Sequence, residues 1–290
     1  MENNMTPPQK IAVLAHSSLP KAVQESVRVG QYLDAHGMEV AVGLLTDEAL
    51  RKRILAREFD LAVVLGGDGA MLHAGRISSM ARIPLLGINF GRFGFLMEVQ
   101  HTAWKKSIQR LMKGDYRCEE RMMLCVEHWR GKTKLDEWAV LNEVVVCRGQ
   151  LVKPVHLTAS VDGNILTTYV ADGLIAATPT GSTAYALAAG GPIMPPELRN
   201  ILLVPVAPHL SVDQAIILSE GARVSMTLSS SHPAVLSVDG QDPITVLKGD
   251  RVDVYAGDHS VQFVRFQDPG YFYRNLMSHM EQNPTTGKQR

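Results

Sequence analysis

Through the first third of the chain, short apolar runs alternate with stretches whose apolar residues recur every three or four positions. "KIAVLAH" (10–16), "MEVAVGLL" (38–45), "DLAVVL" (60–65) and "IPLLGINF" (83–90) read as strands. "PKAVQESVRVGQYLDAHG" (20–37) reads as a helix with Val23, Val27, Val29 and Leu33 on its apolar face and Gly37 as its C-cap. "DEALRKRILAREF" (47–59) is a shorter helix, and another begins near Ala70. Strand–helix alternation predicts a parallel sheet covered by helices, with ligands at the C-terminal ends of its strands.

From about residue 116 the pattern changes to closely spaced strand candidates. These are "MLCVEHW", "WAVLNEVVVC", "VHLTASV", "ILTTYV", "LIAATP", "ARVSMTL", "AVLSV", "DRVDVYA" and "SVQFVRF". The pairs Asp162-Gly163, Asp239-Gly240, Gly249-Asp250 and Gly257-Asp258 read as turns between them. The predicted fold is an α/β N-terminal domain with a mainly parallel sheet, followed by a β-rich, sandwich-like C-terminal domain. Its boundaries are 1–115 and 116–266. The stretch "YFYRNLMSHMEQ" (271–282) reads as a helix, with 267–290 expected to pack back on the first domain.

Composition narrows the class. The 290 residues are 46% hydrophobic and 20% charged with no net charge, so neither disorder nor a broad nucleic-acid-binding surface is expected. Three cysteines without C-x-x-C spacing point to reduced thiols. The start "MENNMTPPQK" has no apolar signal region, and no apolar run reaches the length that spans a bilayer. A cytoplasmic protein without membrane association is the expectation.

Three stretches carry candidate chemistry. In "LAVVLGGDGAML" a strand runs into Gly66, Gly67, Asp68 and Gly69. Glycine turns of this kind bring main-chain N–H groups up to phosphate, and a carboxylate there handles a proton or metal, or caps the helix. No Lys-Ser or Lys-Thr follows, which excludes a Walker A loop, and Leu72 stands where the third glycine of a dinucleotide fingerprint belongs. In "ADGLIAATPTGSTAYALAAGGPIMPP" (171–196), Thr180, Ser182 and Thr183 offer hydroxyls at the start of an expected helix, and Tyr185 offers a ring to a base. Ordinary capping with Tyr185 in the core is the plainer alternative. In "VLNEVVV", Asn142 and Glu143 are neighbours on a strand, so one of two polar side chains must point inward.

Together the segments "GGDGAMLHA" (66–74), "GINFGRFGFL" (87–96), "NEVVV" (142–146), "ADGLIAATPTGSTAYALAAGGPI" (171–193), "PVAPH" (205–209) and "VDGQ" (238–241) resemble the NAD kinase family. GGDG alone is shared with phosphofructokinases and with lipid kinases of the diacylglycerol type, whereas TPTGSTAY is much more specific. The resemblance implies transfer of a phosphoryl group from ATP to the 2′-hydroxyl of NAD's adenosine ribose, in a homodimer or homotetramer, with NAD between two domains. It implies that Asp68 accepts the hydroxyl proton, that Gly66, Gly67 and Gly69 approach the donor phosphates, and that a divalent ion such as Mg²⁺ accompanies them. Gly69 and His73 would line that side of the site. Asn142 and Glu143 would hold the adenosine, and Asp172 would stand near the nicotinamide. Thr180 and the turn Thr183, Ala184, Tyr185, Ala186, Leu187 and Ala188 would line adenine and ribose. Ala207 and Gln241 would contribute at the periphery, Lys153 would stand among the NAD-binding residues where a basic residue is common, and no protein-held metal ligand is expected. Val170 departs from the polar or basic residue common two positions before the ADGL acid, which leaves the choice between NAD and NADH open. A lipid or other small-alcohol kinase sharing GGDG chemistry and a non-catalytic NAD(P) sensor are the rival readings. Polyphosphate is a second possible donor.

Overall fold

The computed structural model describes residues 5–91, 94–149, 152–209, 212–274 and 276. It divides into two compact units, Met1–Glu120 with Val261–Arg290, and Arg121–Ser260.

The first unit alternates strand and helix: β1 (Lys10–Ala15), α1 (Pro20–Asp34), β2 (Glu39–Leu44), α2 (Glu48–Leu55), β3 (Leu61–Gly66), α3 (Asp68–Ala81) and β4 (Leu85–Asn89). A two-residue β5 (Val99–Gln100) and α4 (Trp104–Met112) follow. The strands lie parallel in the order β2-β1-β3-β4, with Ile11 opposite both Val40 and Leu61, and Ala62 opposite Leu85. Both faces of the sheet are covered, so β3 is buried at all six positions, which is why its sequence is an unbroken apolar run. Ile11, Val13, Val63, Leu65 and Ile88 pack with Ala22, Val29 and Leu33 of α1 and with Trp104, Ile108 and Leu111 of α4.

Two details differ from the sequence reading. The buried face of α1 is Ala22, Ser26, Val29, Gly30 and Leu33, while Val27 is exposed. A Cβ on Gly30 would run into Val42, so the helix turns its small residues toward β2 and approaches closely. Helix α4 was not anticipated, although Trp104, Ile108 and Leu111 carry the i, i+4, i+7 spacing that identifies it.

In the second unit the chain runs through β6 (Arg117–Arg130), β7 (Thr133–Val140), β8 (Glu143–Arg148), β9 (Val155–Val161), β10 (Asn164–Ala171) and β11 (Gly173–Ala177). After the single-turn helix α5 (Tyr185–Ala188) come β12 (Asn200–Val206), β13 (Ile216–Ser219), β14 (Val224–Leu228), β15 (Ala234–Val238), β16 (Ile244–Val246) and β17 (Arg251–Arg265). One antiparallel sheet has the order β13-β12-β11-β8-β15-β16. In the other, β10-β9-β14-β17 pair antiparallel, and β6 joins β17 to β7. Val144, Val146, Leu174, Ala176, Ile201 and Leu203 meet Leu157, Tyr169, Val224, Met226 and Val254 in the core between the sheets. The alternate residues Val145, Ile175, Ala177, Leu202 and Val204 face a smaller core with Ala186 and Met194.

Asp162 and Gly163, both at positive φ (52° and 80°), close the β9–β10 hairpin in two residues, as the sequence pair implied. Gly257-Asp258 is no turn. β17 runs through it, with Gly257 against the main chain of Met123 to Cys125. "WAVLNEVVVC" splits at Leu141-Asn142 into β7 and β8, and the expected helix "AYALAAGG" is one turn long. Strand β12 was missed, although "ILLV" is a buried run. Of the expected C-terminal helix, residues 271–274 are helical, and apart from Leu276 the remainder lies outside the described residues.

Candidate active site

Asp68 stands where β3 becomes α3, with only Gly67 between them at φ −128°. The sheet order reverses between β1 and β3, so this turn lies at the topological switch point where open α/β sheets bind ligands. The Asp68 side chain faces the segment after β4. Phe95 N–H donates to its Oδ2 at 3.0 Å and Leu96 N–H to its Oδ1 at 3.2 Å. Helix α3 has no side-chain cap, so capping does not explain the acid. These two N–H donors fix the plane of the carboxylate.

The glycines divide the work. Among the described residues nothing lies within 4 Å of a Cβ built on Gly67 or Gly69, so that face of the turn can admit a ligand's phosphates against the first N–H groups of α3. Gly66 serves packing instead, since a Cβ there would come within 2.5 Å of Ala70 Cβ. Gly94 was not singled out from sequence, yet a Cβ on it would run into the Asp68 carboxylate. His73, half-buried on α3, has its imidazole pKa lowered by burial and then by Arg76, Arg51 and His16, so it is neutral at pH 7.

In the second unit, Asn142 immediately precedes β8 and Glu143 opens it, beside the PTGST turn. Thr178 N–H donates to Asn142 O at 2.9 Å and Thr178 Oγ1 to Leu141 O at 2.6 Å. Gly181 sits so close that a Cβ would overlap the Asn142 main chain. The hydroxyls that looked available to a ligand hold this turn together. Ser182 Oγ donates to Pro179 O, Thr183 Oγ1 donates to Thr180 O, and Thr180 Oγ1 accepts from the buried Arg121 guanidinium.

Asp239, at φ 46°, accepts main-chain N–H groups from Leu141, Asn142 and Glu143 and so locks the start of β8. Glu143 is 8% exposed and its Oε2 has no hydrogen-bond partner among the described residues. Burial first, and then the Asp239 carboxylate, push its pKa up to about 8, against a weaker pull from the Tyr185 N–H. At neutral pH it is a carboxylic acid able to donate. Gln241 Nε2 is a second buried polar atom without a partner among the described residues. Buried polar groups left open in this way fit a ligand that completes them.

Tyr185 is 45% exposed, so its ring is available and not part of the core. Burial, Cys147 and Asp172 raise its phenol pKa. Asp172 pairs with Arg148 at 3.0 Å and donates its N–H to Val206 O, next to Ala207 at φ 45°. Arg148 on β8 therefore supplies a cation to the acid that Val170 does not. Ala184 and Leu187 are half-buried and Ala188 is exposed, whereas Ala186 points into the smaller core. Lys153 is exposed, with no hydrogen bond or ion pair joining it to these residues among those described. No group of three or more His, Cys, Asp or Glu side chains able to hold a metal ion occurs among the described residues.

Residues 15–116 match the ATP-NAD kinase N-terminal domain and residues 141–266 the ATP-NAD kinase C-terminal domain. The chain is 38% identical over 283 residues to an NAD kinase of Heliobacterium modesticaldum, covering 94% of this chain and 98% of that one. It is 35% identical over 271 residues to an NAD kinase of Geotalea daltonii, covering 91% and 95%. Yeast NADH kinase complexed with NADH superposes with a TM-score of 0.84 at 25% identity, covering 99% of this chain and 90% of that one. An NAD kinase from Archaeoglobus fulgidus in complex with ATP gives 0.74 at 24% identity, covering 94% and 99%, a likeness of fold. This chain belongs to the NAD kinase family.

Proposed function

We propose that the chain is an ATP-dependent NAD kinase, making NADP by phosphorylating the 2′-hydroxyl of the adenosine ribose. The observation that carries the mechanism is the Asp68 carboxylate, held by the Phe95 and Leu96 N–H groups beside the side-chain-free Gly67 and Gly69. As the ribose O2′ bonds to the γ-phosphorus of ATP, the bond from that phosphorus to ADP breaks and the hydroxyl proton passes to Asp68. The residues need only position the reactants and accept that proton. A divalent ion such as Mg²⁺ would accompany ATP and offset the charge of its phosphates.

Asn142 and the protonated Glu143 hold the adenosine, with Gln241 two residues after the Asp239 that accepts their N–H groups and with Thr180 and Thr183 shaping the turn. Tyr185 and its neighbours Ala184, Leu187 and Ala188 give adenine and ribose a wall. Asp172, oriented by Arg148, stands toward the nicotinamide, with Ala207 and Lys153 peripheral. Gly69 and His73 flank Asp68. A homodimer or homotetramer in the cytoplasm completes the proposal, and light scattering on the purified chain reads the oligomer.

The test is an acceptor panel: ATP with NAD, with NADH, and with diacylglycerol vesicles, and polyphosphate in place of ATP. Formation of NADP or NADPH, read with an NADP-specific dehydrogenase, is the expected result. Lipid phosphorylation without NADP, or NAD binding without turnover, would overturn it in favour of a lipid kinase or a sensor.

A further inference from the structure

Behind the Asp68 loop lies a buried arginine that the mechanism above does not use. Arg265, at the end of β17, is 6% exposed, in a setting where arginine is seldom found unless it is paired. Its Nη1 donates to Leu96 O at 3.1 Å. The same guanidinium reaches Glu98 Oε2 at 3.3 Å and, through Nε, Glu119 Oε1 at 3.2 Å. Both acids are buried, and Glu98 Oε1 also accepts the Phe266 N–H at 2.7 Å. Burial raises the Glu98 pKa and Arg265 opposes that rise. The Phe263 ring packs under the guanidinium, 5.2 Å from centroid to Cζ.

One peptide away, the N–H of Leu96 donates to Asp68 Oδ1, and that of Phe95 to Oδ2. Leu96 therefore has its carbonyl gripped by Arg265 and its amide committed to Asp68. We infer that Arg265 is a positioning residue for phosphoryl transfer: anchored by Glu98 and Glu119, it fixes the Leu96 carbonyl, and so aims the Phe95 and Leu96 N–H groups that orient the Asp68 carboxylate. The inference rests on the reading of Asp68 as proton acceptor. A guanidinium suits the task because its rigid fork serves three acceptors at once, which a lysine ammonium on a flexible stem does not reproduce. If the grip loosens, Asp68 gains rotational freedom and loses donors that favour its ionised form.

The test uses the full chain with NAD and ATP, comparing wild type, Arg265→Lys, Asp68→Asn and the double variant, each well below its melting temperature. Arg265→Lys is expected to lower kcat at least tenfold with KM for NAD within about twofold. The acid limb of its pH–kcat profile should move to higher pH. In the Asp68→Asn background the same change should cost little more, because Arg265 acts through Asp68. A lowered melting temperature with an unmoved acid limb and wild-type kcat per folded molecule would make Arg265 merely structural and overturn the inference. If Asp68→Asn itself turns over at the wild-type rate, the base assignment fails instead. Should Arg265→Lys not fold, Arg265→Met with Glu98→Gln removes the Arg265 and Glu98 charges together, leaves Glu119 paired with Arg117 at 3.2 Å, and is read the same way.

Discussion

Replacing Glu143 with glutamine tests the electrostatics of the second unit without any ligand. In the folded chain its pKa is pushed up to about 8, mainly by burial and next by the Asp239 carboxylate, from an ordinary 4.5. The unfolded chain gives up that proton above 4.5, whereas the folded chain keeps it until about 8. Folding therefore binds a proton in this window, and stability falls as pH rises through it, at about 1.4 kcal/mol per unit. From 4.5 to 7 the loss is roughly 3 kcal/mol, and below 4.5 this group contributes no slope. Glutamine has nearly the shape of the neutral acid and does not titrate. Glu143→Gln should match wild type near pH 4.5 and exceed it by about 3 kcal/mol at pH 7. Urea unfolding of the ligand-free chain, followed by fluorescence of its three tryptophans at half-unit steps from pH 5 to 8, measures the difference. A difference that stays constant across that range, or a variant less stable than wild type at pH 8, would refute the reasoning.

Three further substitutions follow from the same geometry. Gly94→Ala places a methyl group on the Asp68 carboxylate, so kcat should fall by about 10²-fold with KM for NAD little changed, read in the coupled assay. Gly181→Ala collides with the Asn142 main chain, and should cost roughly 1–3 kcal/mol in urea unfolding and raise KM for NAD. Asp250, held at about pKa 2 chiefly by the Arg130 hydrogen bond, stabilises the fold above pH 3.8 and loses that effect as pH falls through 2. Asp250→Asn should flatten the acid end of the stability curve, as circular dichroism between pH 4 and 2 would report.

The α/β unit was the more legible half in the sequence because its strands are buried on both faces and its helices carry the 3.6 period. The position of Asp68 at a strand end came from that pattern. Its partners did not: Phe95 and Leu96 act through main-chain N–H groups, which no side-chain motif records. Gly94 and Arg265 matter by proximity, 26 and 197 positions from Asp68 in the chain, beyond any local pattern. In the β-rich unit the Asp-Gly hairpin of Asp162 was readable because its turn demands positive φ, while Gly257-Asp258 misled because the same residue pair also fits inside a continuous strand. The hydroxyls of Thr180, Ser182 and Thr183 looked free for a ligand, but their partners are carbonyls and an arginine that only the folded turn brings near.

The central claim is that Asp68 takes the ribose proton, and Asp68→Asn tests it most directly. The amide keeps the side chain's size but cannot serve as the base. NADP formation from NAD and ATP should fall by about 10²–10⁴-fold, while calorimetry finds NAD bound with affinity within a few-fold of wild type. Near-wild-type turnover by the folded Asp68→Asn chain would contradict the account.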